Sequence, residues 1–137
     1  MILVDTNILV AVANDRDNLH DTARGLLETT SDDLLVAPTV IAEVCYLLSK
    51  QAGHGAEVQF LRAFGSGELR LVGLTLADVS RMAELTHRYA DLGLGGTDAS
   101  VVAIAERLGV DRIATFDRRH FSVVRPRHVE AFQLLPA

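Results

Sequence analysis

Four carboxylates in this sequence stand against apolar segments instead of among other polar residues. Asp5 follows the apolar run of MILVDTNILV, Glu43 flanks the stripe of TVIAEVCYLLSK, Asp98 opens TDASVVAIAERLG, and Asp117 ends ATFD. Singly, each has an ordinary role as a cap, a solvated helix residue, a first-turn acid or a turn former. Together they would repel one another and hold protons to higher pH unless a cation neutralised them, so convergence implies a metal. Carboxylate oxygens without His or Cys select a hard ion, Mg2+ or Mn2+. None of the five histidines has an obvious partner at zinc-like spacing.

The elements that must position these acids follow from the hydrophobic pattern. ILV (2–4), LLVA (34–37), LRLVGL (69–74) and RIAT (112–115) read as strands, mostly without polar alternation, as in a parallel sheet covered on both faces. TVIAEVCYLLSK carries the helical stripe Val40, Ile41, Val44, Leu47 and Leu48; TDASVVAIAERLG carries Val101, Val102, Ala105 and Leu108, with Gly109 as its stop. Further helices are expected in 18–30, 56–66 and 77–90, and a short last strand within 123–135, where Pro126 obscures the limits. The order predicts a three-layer α/β sandwich with right-handed crossovers. Ligands of open α/β sheets gather outside the carboxyl ends of the strands. Asp5 and Asp117 end strands, Glu43 lies one turn into the helix after the second, and Asp98 shares a face with Val101, Val102 and Ala105. All four are thus expected at one end of the sheet.

Composition narrows the class. With 137 residues, 49% hydrophobic, and neither repeats nor low-complexity segments, a single domain spanning 1–137 is expected. No basic-then-apolar leader and no apolar run of about 18 residues is present, so a cytoplasmic protein without a membrane span is expected. Cys45 has no intrachain partner and reads as a small buried hydrophobe. The net charge of −5 argues against a general nucleic-acid coat protein. Residues 112–137 nevertheless hold five Arg against Asp117 and Glu130, a net of +3, which leaves −8 on the rest. Arg112, Arg118 and Arg119 lie close in sequence to Asp117 and are candidates to guide a phosphate backbone. His120 is a weaker candidate and reads first as a surface turn residue.

Taken in order, DTNIL, Glu43 within IAEV, TDASVVAIAERLG and ATFDRRHF resemble the acid motifs of the PIN-domain ribonucleases, in particular the VapC toxins of bacterial toxin–antitoxin pairs, over essentially the whole chain. The resemblance implies an α/β/α fold around a central, mostly parallel five-stranded sheet, and a Mg2+- or Mn2+-dependent endoribonuclease. It makes Asp5, Glu43 and Asp98 the core metal-binding acids and Asp117 the more variable fourth, with Thr6, Asn7 and Thr115 in support. It also implies an antitoxin partner that occludes the site, and a homodimer. A metal so held binds a phosphate oxygen and lowers the pKa of a water for in-line attack, and a second ion would sit ~3.5–4 Å away. Water as nucleophile leaves 5′-phosphate and 3′-hydroxyl ends. Three alternatives stand beside this reading. A phosphoacceptor receiver domain would need an acidic pair near the first strand and a late Lys, whereas the sole Lys is Lys50, inside a predicted helix. The intact acid set counts against a catalytically inactive RNA-binding relative without excluding it. A Rossmann-type binder would need glycines after the first strand, where DTNILV has none.

Overall fold

The computed structural model describes residues 1–137. Five strands, β1 (Ile2–Val4), β2 (Leu34–Val36), β3 (Arg70–Leu71), β4 (Arg112–Ala114) and β5 (Gln133–Leu135), form one sheet in the order β3-β2-β1-β4-β5. Every pairing is parallel, with Leu3 opposite Leu35 on one side and Ile113 on the other. The expectation of a mostly parallel sheet therefore holds in its strict form. β1 is central and wholly buried, as its unbroken apolar run requires. β3 is shorter than the six apolar-rich residues around it because it is an edge strand whose two residues are exposed.

Seven helices cover the sheet: α1 (Thr6–Ala13), α2 (His20–Thr29), α3 (Pro38–Gln51), α4 (His54–Gly65), α5 (Leu76–Arg88), α6 (Gly96–Leu108) and the short α7 (Arg118–Phe121). Right-handed crossovers put α1–α4, which link β1, β2 and β3, on one face. The reverse step from β3 to β4 puts α5 and α6 on the other. Contacts agree, since α1, α3 and α4 pack together and α5 packs along α6. α1 is the element the periodicity did not indicate. Its run ILVAVA is apolar on all sides because the helix starts directly after β1 and is buried at Ile8, Leu9, Val10 and Ala11.

α6 is the most deeply set helix, with every residue from Ala99 to Ala105 buried, and Gly109 ends it in the left-handed conformation at φ 70° as its sequence suggests. Two contacts hold α5 against it. Asp78, half of a capping box with Thr75 that starts α5, accepts from Arg107 at 2.9 Å. Arg81 forms a two-pronged pair with Glu106 at 2.8 and 3.0 Å. On the far side, the hydroxyls of Thr39 and Ser100 meet at 2.5 Å, joining α3 to α6 near the carboxyl edge of the sheet.

Candidate active site

The chain leaves β1 in one direction to build β2 and β3 and returns to place β4 on the opposite flank of β1. Where the strand order reverses, the segments after β1 and β4 diverge and leave a crevice at their carboxyl ends. Asp5 follows β1 directly, and Thr115, Phe116 and Asp117 follow β4. An open cleft of about 590 Å3 lies here, with Asp5, Glu43, Asp98 and Asp117 all on its walls. The expected convergence is observed.

Asp5 is the most firmly held of the four. It is 4% exposed and caps α1, with Oδ1 accepting from the Thr6 amide at 2.8 Å. Oδ2 accepts from the Thr115 hydroxyl at 2.7 Å and from Asn7 Nδ2 at 3.4 Å. Thr115 Oγ1 in turn accepts from the Asp117 amide at 2.9 Å, and Asn7 Oδ1 accepts from the Phe116 amide at 3.0 Å. Thr115 and Asn7 thus tie the two strand ends together across the crevice. Thr6 supports Asp5 through its backbone only; its own hydroxyl is buried without a partner.

Asp98 sits in the first turn of α6 and is half-buried. Burial, then the negative charge of Asp5, pushes its carboxyl from 3.8 up to about 6; His120 opposes the rise, and Asp117 and Glu43 add to it. Burial also raises Asp5, against the hydrogen bonds from Thr115 and Thr6, with the charges of Asp117 and Glu43 pushing the same way as burial. Glu43 projects from α3 as an exposed side chain. The four acids share one electrostatic environment although they do not all touch.

Two features of the site were not assigned from sequence. Asp17, a fifth acid, lines the cleft, while its Oδ1 accepts from the Leu19 amide at 2.8 Å. His120 is drawn inward instead of lying on the surface, its Nδ1 2.5 Å from Asp117 Oδ2 and its side chain 18% exposed. Asp117 caps the turn that carries His120, accepting from its amide at 3.1 Å. The signal in the sequence is the three-residue separation of Asp117 and His120, which places both on one side of a helical turn.

The arginines divide. Arg112 does not reach the acids, which corrects its assignment to the site. It opens β4 at the amino end, where it pairs with Asp32 at 2.7 Å beside the terminal ammonium of Met1. A strand rises about 3.3 Å per residue, so Arg112 and Asp117 are separated by the length of the strand and the turn beyond it. Arg118 and Arg119 are exposed on α7 next to Asp117, the former donating to the Pro136 carbonyl at 3.0 Å; neither lines the cleft. Arg127 is engaged by Glu84 at 2.9 Å, and its amide by Glu106 at 2.8 Å. Arg112 and Arg127, two of the five arginines after residue 111, are therefore paired with acids from earlier elements.

With five acids and no Lys or Arg on its walls, the cleft is a cation site by charge. The geometry fits an ion. Donor atoms of Asp98, Asp117 and His120 lie within 4.8 Å of one another, close to the roughly 3 to 4.2 Å that separates ligands on an octahedral ion with bonds of about 2.1 Å. Asp5 and Glu43 border this compact group without belonging to it.

The family profile of the PIN domain matches residues 2–125. Ribonuclease VapC26 of Mycobacterium tuberculosis is 32% identical over 135 residues, 98% of this chain and 100% of that protein. The crystal structure of VapC20 of the same organism, described as a Sarcin-Ricin loop cleaving toxin, superimposes with a TM-score of 0.85 at 25% identity, over 95% of this chain and 99% of that one. VapBC2 from Rickettsia felis, crystallised on a DNA fragment from its promoter, shares the fold with a TM-score of 0.68 at 20% identity and 98% coverage of both chains. The reversing parallel sheet, the acids at its carboxyl edge and the end-to-end sequence match agree: the chain belongs to the PIN-domain family.

Proposed function

We propose that this PIN domain hydrolyses RNA with a divalent ion, Mg2+ or Mn2+, held among Asp5, Glu43, Asp98 and Asp117. The observation that carries the reading is Asp98, its carboxyl pushed up to about 6 in a cleft of five acids and no basic wall residue. Such a cluster is relieved by protons or by a cation, and at neutral pH a cation is the stronger stabiliser. The protein is a ribonuclease of the VapC toxin kind, by kinship with VapC26 and VapC20 along nearly its whole length. When bound, the ion supplies charge neutralisation for the phosphate and a water of lowered pKa.

The chain's own residues do the rest. Thr115 and the Thr6 amide fix the Asp5 carboxylate at the end of β1, so it meets the ion in one orientation. Asp98 and Asp117, whose donor oxygens lie within 4.8 Å of each other on the cleft wall, would hold the ion to which the phosphate binds. Arg118 and Arg119, exposed beside Asp117, contact flanking phosphates. Water as nucleophile leaves 5′-phosphate and 3′-hydroxyl ends. A small antitoxin covers the cleft in the resting complex, and two copies of the chain form the working unit.

The test is incubation of the purified protein with total RNA in Mg2+, Mn2+ or EDTA, with mapping of fragment ends. Cleavage in either ion, none in EDTA or with Asp98→Asn, and 5′-phosphate ends are expected. Full cleavage in EDTA would refute the metal mechanism. For the toxin role, expression of the wild type alone should arrest growth and that of Asp98→Asn should not.

A further inference from the structure

We propose that His120 supplies a nitrogen ligand to the cation held by Asp98 and Asp117, which makes this centre favour Mn2+ over Mg2+. The inference rests on the metal reading above and goes beyond it in naming a non-carboxylate donor and the ion it selects.

Three observations support it. The donor atoms of Asp98, Asp117 and His120 form the one group of three or more His, Cys, Asp or Glu side chains whose members all approach within 4.8 Å. The imidazole is held in place: it is 18% exposed, lies 2.5 Å from Asp117 Oδ2, and makes no other side-chain hydrogen bond. The backbone fixes the pair, because Asp117 Oδ1 caps α7 by accepting from the His120 amide. The proton that Nδ1 and Oδ2 share thus occupies the place an ion would take.

Replacing that proton with an ion requires little movement. Neighbouring ligands on an octahedral ion with bonds of about 2.1 Å stand about 3 Å apart, so the 2.5 Å contact opens by roughly half an ångström through side-chain rotation. A neutral imidazole takes the ion on Nδ1 as its single proton moves to Nε2, and an imidazolium does so by releasing the Nδ1 proton to solvent. Mg2+ is a hard ion that binds oxygen and keeps its waters, whereas first-row transition ions gain affinity from an imidazole. The mixed oxygen and nitrogen set therefore discriminates where four carboxylates alone would not. The competing role for His120 is to orient Asp117 by hydrogen bonding, with no bond to the ion.

Pulsed EPR on the metal-stripped full chain loaded with Mn2+ alone separates the two. Direct ligation predicts 14N modulation of the strength of a bound imidazole, changing to the 15N pattern in protein labelled with [15N]histidine and absent from His120→Asn. In titrations, His120→Asn should weaken Mn2+ binding at least about tenfold, the scale set by losing even an outer partner. Mg2+ binding, measured by competition, should change by no more than about twofold. Mn2+ that binds, depends on Asp98 and shows no nitrogen coupling would overturn the His120 assignment and leave the carboxylate reading intact. Nitrogen coupling that survives in His120→Asn would also overturn it. Failure of Mn2+ and Mg2+ to bind the wild type at all would sink both readings. If His120→Asn folds poorly, His120→Gln carries the same comparison, and absence of nitrogen coupling in the wild type overturns the assignment by itself.

Discussion

Neutralising Asp98 should stabilise the metal-free protein at neutral pH and do nothing at acid pH. In the folded chain its carboxyl sits at about 6 against an ordinary 3.8. Between those values the folded state holds a proton that the unfolded state has released, so stability falls as pH rises through this window and the whole penalty is present above about pH 6. A shift of that size corresponds to roughly 3 kcal/mol if the charge were shielded from water. Asp98 is only half-buried, and solvent screening reduces this to ~1–2 kcal/mol. Asp98→Asn keeps the shape and removes the charge. In EDTA at pH 7.5 its melting temperature should exceed the wild type's by about 3 to 10 °C, given ~3 to 5 °C per kcal/mol for a domain of this size. At pH 4 the difference should vanish, because Asp98 is then protonated in the folded state. Thermal unfolding of both proteins from pH 4 to 8 measures this directly. A variant less stable than wild type at pH 7.5, or a gap independent of pH, would refute the claim that burial, with the neighbouring acids, raises the Asp98 carboxyl. Saturating Mn2+ should reverse the order, since the ion stabilises only a site that binds it.

Other perturbations probe the supports of the site. Thr115→Val removes the donor to a buried carboxylate and an acceptor for the Asp117 amide, so it should cost about 1.5–3 kcal/mol in urea unfolding and lower RNA cleavage. Unchanged stability and rate would show that Asp5 needs no such tether. Arg118→Ala or Arg119→Ala should each weaken RNA binding and flatten its salt slope by roughly 0.7, whereas Arg112→Ala at the far end of β4 should leave both unchanged; equal effects in all three would point to nonspecific charge. Arg81→Leu leaves Glu106, whose side chain is 9% exposed, without its two-pronged partner and should cost about 3 kcal/mol or more, and pairing it with Glu106→Leu should recover most of that. Metal binding should survive in both. If the double variant is no more stable than the single, the loss comes from packing of α5 on α6 and not from the stranded charge.

The sequence by itself determined the acid set, its order and the elements carrying it. Short runs such as ILV and RIAT, apolar without alternation, suit a strand covered on both faces, and Gly109 ends its helix because a left-handed residue is needed there. Parallel strands with helical crossovers then place the residues after each strand at one edge, so Asp5 and Asp117 were legible as neighbours despite a separation of 112 positions. Other features were decided only by the tertiary structure. α1 was invisible because a helix buried on all sides shows no amphipathic period. His120 was marked in the sequence only by its three-residue spacing from Asp117, because RRHF is a single turn, too short for a periodic signal, and its inward direction comes from the cap that Asp117 makes. Arg112 looked close to Asp117 in sequence, yet β4 and its turn carry the two to opposite ends of the sheet, and Asp32 neutralises it there. Local pattern settles which residues build an element and which end of it is chemical. Which side chains then share a charge depends on contacts between elements distant in the chain, and these exist only once the sheet has closed its order around β1.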